Sequence, residues 1–176
     1  MTQIDPIQTY TAFLGDELLQ QGPLAEVAHA VRQLLVTPRT PPVLVFDDRT
    51  GAVLDLDPRV PAPPPPRKRG RPRLGVEPRE ITLLPRHWDW LATQPGGASA
   101  VLRRLVDEAR KSSASADDLR RRTDAAYRFM SAMAGDYAGF EEATRALFAH
   151  DREGVEARIA DWPRAVREHV VKLAYG

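Results

Sequence analysis

The spacing of apolar residues changes several times along the chain, and each change marks an element. In "TYTAFLGDELLQQ", residues 9–21, two short apolar runs flank Gly15-Asp16, which predicts two strands around a turn. From Pro23 the period lengthens: Leu24, Val27, Val31, Leu34 and Leu35 recur at helical spacing, and Pro23 suits a first turn. "PPVLVFDDRTGAVLDLD" then gives an apolar strand, a polar turn ending in Gly51 and a second strand, which is a hairpin. Residues 1–57 therefore read as a small α/β module of two strands, a helix and two strands. Its core is small, so it either stands as a marginal domain or leans on the rest.

All periodicity stops in "DPRVPAPPPPRKRGRPRLG". Six prolines fall between Pro58 and Pro66, and a segment this poor in backbone donors suits an extended spacer. Residues 58–78 are thus a linker. After it, "REITLLP" predicts a strand, "RHWDWLATQ" a short helix and "PGG" its stop. Ser99 is placed to cap a further helix, whose apolar stripe is Leu102, Leu105, Val106 and Ala109. These elements make up residues 79–111. Residues 112–176 are helical: "DDLRRRTDAAYRFMSAMAG" ends at Gly135, and "GFEEATRALFAHD" forms a second helix. "REGVEARIADWPRAVREHVVKLA" forms two pieces, with Asp161 as cap and Pro163 in the first turn of the last. The fold class is α+β, ending in a helical bundle.

Composition changes this picture at one place. The 176 residues are 43% hydrophobic, enough for a real core, and the net charge is only +1. The charge is unevenly spread. Residues 1–66 carry 8 acids against 4 bases, 67–111 carry 5 against 11, and 112–176 carry 11 against 10. A local basic excess points to an anionic partner. With no cysteine, disulfides and cysteine metal sites are excluded, in keeping with a reducing compartment. "MTQIDPIQTYTAF" lacks the features of a signal peptide, and no run of about 18 apolar residues occurs. The expectation is a cytoplasmic protein with no membrane partner.

The excess is sharpest in "RKRGRPRLG". A Gly-Arg-Pro core flanked by arginines resembles the AT-hook, a motif that lies extended in the minor groove of A·T-rich DNA. That groove is narrow and strongly negative, so guanidinium groups are held well in it. The resemblance implies that Gly70 and Pro72 keep the backbone slim and that Arg71 inserts centrally, while Arg69 and Arg73 follow the groove or its phosphates. Arg67 and Lys68 add charge. The alternative for the same residues is a solubilising basic linker.

The next segment, "REITLLPRHWDWLATQPGGASAVLRRLVDEARK", resembles a ribbon-helix-helix module, in which strands of two chains pair into a ribbon for the DNA major groove. Leu84-Pro85 matches the strand-to-helix junction, Leu91 the buried residue of the first helix, and Gly97-Ala98-Ser99 the turn before the second. The resemblance implies a homodimer, which also suits a segment too short to bury its own apolar surface. Strand alternation with Leu84 inward, however, leaves Arg79, Ile81 and Leu83 on the reading face. Ile81 and Leu83 cannot make the hydrogen bonds that distinguish base pairs. Either a bulge shifts the register and exposes Glu80 and Thr82, or this ribbon does not read bases. Arg79, Thr82 and Arg86 are the candidate contacts here.

No catalytic or metal site emerges, and no cofactor is implied. His29, His87, His150 and His169 are far apart and read as surface or half-buried residues. Asp47-Asp48 suits turn chemistry, with a cation site there, near Asp55 and Asp57, as the alternative. Trp88 and Trp90 could stack on bases, although a dimer core accounts for at least one. Arg120–Arg122 reads as a solvated face beside Asp117 and Asp118. Tyr127, Phe129, Met130, Met133, Phe140 and Phe148 read as helical core.

Over most of its length the chain resembles a bacterial family, domain of unknown function 2239. The stretches that carry this are "YTAFLGDELLQQGPLAEV", "GRPRLGVEPREITLLPRHWDWLATQPGGASAVLRRLVDEARK" and "AAYRFMSAMAGDYAGFEEATRALFAHDREGVEARIADWPRAVREHV". The resemblance implies a bacterial cytoplasmic protein and leaves activity to the residues. The expectation is a DNA-binding protein, a regulator or nucleoid factor and not an enzyme. The alternative is an adaptor whose "PAPPPP" and C-terminal helices dock protein partners.

Overall fold

The computed structural model describes residues 8–34, 42–56 and 79–176. They fall into two units: 8–56 together with 117–176, and 79–116. The basic run Arg67–Arg73 and the expected linker boundaries at 57/58 and 78/79 involve residues outside those described.

In the first unit the expected strands form. β1 (Tyr10–Leu14) and β2 (Glu17–Gly22) make an antiparallel hairpin, followed by α1 (Leu24–Leu34), β3 (Val43–Asp47) and β4 (Val53–Leu54). Among the described residues the strands make one antiparallel sheet in the order β2-β1-β3-β4, with β1 and β3 central. A register shift between Ala12 and Phe13 leaves Leu19 as an extra residue in β2 and bends that strand against β1.

Both faces of the central strands are covered. Ala12 and Val45 point to one face and meet Val27 and Val31 of α1. Phe13 and Phe46 point to the other, where the cover comes from α3 (Ala98–Met133), α4 (Phe140–Phe148), α5 (Arg152–Arg158) and α6 (Arg164–Tyr175). The N-terminal module therefore leans on the C-terminal helices, and the two ends of the chain share one core. Its centre is aromatic: the Phe129 ring lies 5.4 Å from Phe13, 4.8 Å from Phe46 and 4.5 Å from the imidazole of His169. Edge-to-face and tilted pairs of this kind add to the burial of their area.

The helices depart from expectation in three ways. Residues 98–133 form one helix of 36 residues where two were expected. The intervening "SSASA" contains neither glycine nor proline, and the Ser112 hydroxyl donates to the carbonyl of Ala109 inside the helix, so nothing there ends it. Ser99 is not a cap: the carbonyl of Gly97 accepts from the Ala100 and Val101 amides, which places Ser99 in the first turn. Pro163 stands one position before α6, and Asp161 makes no capping bond to it. A cap not anticipated is Asp151, whose carboxylate accepts from the Gly154 amide at 2.9 Å at the start of α5.

The second unit contains α2 (Pro85–Ala92) and the first half of α3. Residues 79–84, expected as a strand, form no ladder. A strand is defined by its partner, and no strand of the described residues forms a ladder with this segment. α2 forms where a short helix was expected, but it starts at Pro85 and ends at Ala92 with Thr93 as its C-cap, two residues short of the end of the expected stretch 86–94.

Gly51 joins the two halves of the first unit. It sits at φ +65° in the β3–β4 turn, and a Cβ there would lie 2.0 Å from the carbonyl oxygen of Ala125 in α3. Gly51→Ala is expected to cost at least about 3 kcal/mol in urea unfolding, from left-handed strain plus a backbone clash. Gly97→Ala, also at positive φ but with nothing within 4 Å, is expected to cost only about 1 kcal/mol.

Candidate nucleic-acid interface

The second unit exposes much of its apolar surface. Leu91 and Val101 are buried, whereas Ile81, Leu84, Trp88, Trp90, Leu105 and Val106 are between 38% and 55% exposed. Of the predicted stripe on α3, Leu102 is half-buried and Ala109 exposed as well. Arg79, Thr82 and Arg86 are all exposed. Ile81 is exposed and Leu83 half-buried, while Glu80 and Thr82 lie in solvent, so an extended segment outside any ladder does not impose the alternation on which the register argument rested. Arg67, Lys68, Arg69, Gly70, Arg71, Pro72 and Arg73, the centre of the expected interface, lie outside the described residues.

The sequence reading missed a buried polar cluster in the first unit. Asp48 was expected to serve turn chemistry, and that task falls to Asp47, whose Oδ1 accepts from the amides of Arg49 and Thr50. The Asp48 side chain is only 7% exposed. Its carboxylate accepts from Thr9 Oγ1 at 2.8 Å, Thr11 Oγ1 at 2.6 Å, Gln21 Nε2 at 3.1 Å and Lys172 Nζ at 2.8 Å. Burial by itself raises this carboxyl, but the bonds from Lys172, Thr11 and Thr9 outweigh it and hold the group below the usual carboxylate range. With Lys172 as its counter-ion, Asp48 is already neutralised and is not a cation site.

His169, expected at or near the surface, is 5% exposed and packs edge-on against Phe13 and Phe129. Burial lowers its pKa to about 4, only partly offset by Asp48, whose Oδ1 lies 3.7 Å from Nε2. At neutral pH the ring is therefore uncharged and makes no ion pair. No local spacing announces this cluster, because its members come from residues 9 to 172; the one available signal was a histidine on the apolar stripe of α6 beside Val166, Val170 and Leu173.

Elsewhere the core assignments divide. Phe129 and Met130 are fully buried and Met133 and Phe140 partly so, but Tyr127 and Phe148 are 40% and 52% exposed and pair with each other. Arg121 and Arg122 both bind Asp118, in keeping with a solvated charged face. Burial, and then a hydrogen bond to Asp16, push Tyr137 up to about 12; this contact ties the β1–β2 turn to the loop after α3. Among the described residues no group of His, Asp and Glu could hold a metal, and no helix is long and apolar enough to cross a membrane.

Compared with known proteins, residues 9–174 match the model of a family described as an uncharacterized protein conserved in bacteria. No curated protein and no solved structure matches the chain.

The His169 site fixes a pH dependence. The unfolded chain takes up a proton near the ordinary value of 6.5, the folded chain only near 4. Between these values the unfolded state holds the extra proton, so stability is full above 6.5 and falls as the pH drops toward 4, by about 3 kcal/mol in all. Asp48 adds a further loss below its ordinary 3.8. Urea unfolding at pH 7 and pH 4.5 is expected to show most of the His169 loss, and His169→Gln is expected to flatten it.

Proposed function

Starting from the finding that the chain belongs to the bacterial family DUF2239, whose description names no activity, we propose that it is a DNA-binding protein of the regulator or nucleoid-associated kind. The observation that carries this reading is the concentration of basic charge in residues 67–111, with 11 bases against 5 acids in a chain of net charge +1. Arg67, Lys68, Arg69, Arg71 and Arg73 displace counterions from the duplex, and the Gly70-Arg71-Pro72 core lies in the minor groove of A·T-rich DNA. Arg79 and Arg86 contact phosphates beside it, with Thr82 within the same exposed segment.

The second unit works as a homodimer in this reading. Two short helical stretches that bury only Leu91 and Val101 have too little core for independent stability. A second copy covers Trp88, Leu105 and Val106, each worth about 1.5–3 kcal/mol when fully buried. The strand expected at 79–84 then finds its partner in the other chain. A protein interaction adaptor also explains exposed apolar side chains, but it gives the Gly-Arg-Pro run no task.

Two expected outcomes follow. In titrations of A·T-rich and G·C-rich duplexes across a salt series, the chain should prefer the A·T-rich duplex. Arg71→Ala with Arg73→Ala should remove that preference and reduce the slope of log K against log salt by about 2. Absence of duplex binding near physiological salt favours the adaptor. In sedimentation, Val106→Asp should convert a dimer to a monomer while the first unit keeps its stability; a monomeric wild-type chain contradicts the dimer.

A further inference from the structure

The first unit carries a surface that the basic run does not explain. A groove of about 510 Å³ lies between Gly51 and Ala52 of the β3–β4 turn, Val53 of β4, and Tyr127, Arg128, Ser131 and Ala132 of α3. Its rim is aromatic and basic. Tyr127 and Val53 line the groove, Val53 being 50% exposed, and the Tyr127 ring stands with its centroid 5.3 Å from that of Phe148, both rings substantially exposed. Exposed aromatic pairs are unusual on a helical face, where core positions are the normal place for such rings.

Three arginines surround the same turn. Arg128 donates to the carbonyl of Thr50 at 3.2 Å and Arg121, two helical turns earlier, to that of Arg49 at 3.3 Å. Arg49 itself is exposed on the turn. The carbonyl bonds hold the two helix guanidinium groups in place while using only part of their donor capacity. The acids nearby on α3 are Asp118, bound to Arg121 and Arg122, and Asp124, which is exposed.

We propose that this groove binds single-stranded nucleic acid, with bases stacking on Tyr127 and Phe148 and phosphates held by Arg49 and Arg128. Stacking platforms interleaved with arginine suit unpaired bases, whose faces are free, and not a duplex, whose bases are already stacked. Arg128 on the lining and Arg49 exposed on the adjoining turn supply the positive charge that suits an anionic occupant, Arg121 being already bound to Asp118. The inference rests on the nucleic-acid reading above and assigns the first unit a contact distinct from the basic run.

The test uses the full chain with labelled oligo(dT), oligo(U) and an A·T-rich duplex. Tyr127→Ala with Phe148→Ala removes half-exposed rings and should lower the melting temperature by only a few degrees, leaving the chain folded. It should weaken single-strand binding about ten-fold or more and leave duplex binding unaltered. Arg49→Ala with Arg128→Ala should lower the salt slope for the single strand by about 1.4. Equal loss for oligo(dT) and oligo(U) supports a site indifferent to the sugar; loss for one alone identifies its source. If duplex binding persists and neither variant alters single-strand binding, the groove assignment is overturned and the DNA reading stands. If poly-glutamate displaces oligo(dT) and its own affinity for the wild-type and ring-deleted chains is the same, the surface binds acidic protein instead. Absence of binding to every nucleic acid overturns both.

Discussion

The first unit depends on one aromatic contact made across almost the whole chain. Phe13 and Phe46 leave the sheet on the face opposite α1, and without Phe129 and His169 above them that face would meet water. A four-stranded sheet backed by a single 11-residue helix has too little covered surface for independent stability. The chain meets this constraint by returning residues 117–176 to cover the sheet, and Gly51 allows the turn and α3 to approach backbone to backbone. The polar rim of the same contact is the Asp48 cluster, where Lys172 of α6 reaches the carboxylate that Thr9 and Thr11 of the sheet also hold.

Because the two ends of the first unit are engaged with each other, residues 79–116 belong to an insertion with a core of its own to find. That core is poor in the single chain, since the stripe of α3 between Leu102 and Ala109 is half-buried at best. The first unit buries most of its large apolar side chains internally; the insertion buries only Leu91 and Val101 among its described residues. This division of labour is the physical ground for placing a second copy, and with it the duplex, at the insertion in the proposed reading.

Elements governed by local spacing were legible in the sequence. Gly15-Asp16, Pro23 and Gly51 marked their turns and helix start, and the short apolar runs that contain Phe13 and Phe46 placed them in strands. Features governed by partners were not. The segment 79–84 has strand-like residues, yet a ladder needs a second strand, and none of the described residues provides one for it. Asp48 looked like its neighbour Asp47 until the fold brought Lys172 and His169 to it, 124 and 121 positions further along. The fusion of two expected helices into α3 follows from overreading serine as punctuation, although its hydroxyl is satisfied within a helix at Ser112. Tyr127 and Phe148 have the letters of core residues, and only the position of α4 against α3 shows that their shared face is left open.

Hydrogen–deuterium exchange of the full chain, with and without an A·T-rich duplex, tests the central claim most directly. The account predicts slowed exchange across residues 67–86, spanning the basic run and the segment that enters α2, with the amides of α5 and α6 unchanged. Unchanged exchange across 67–86 under conditions where the duplex is present in excess would contradict it.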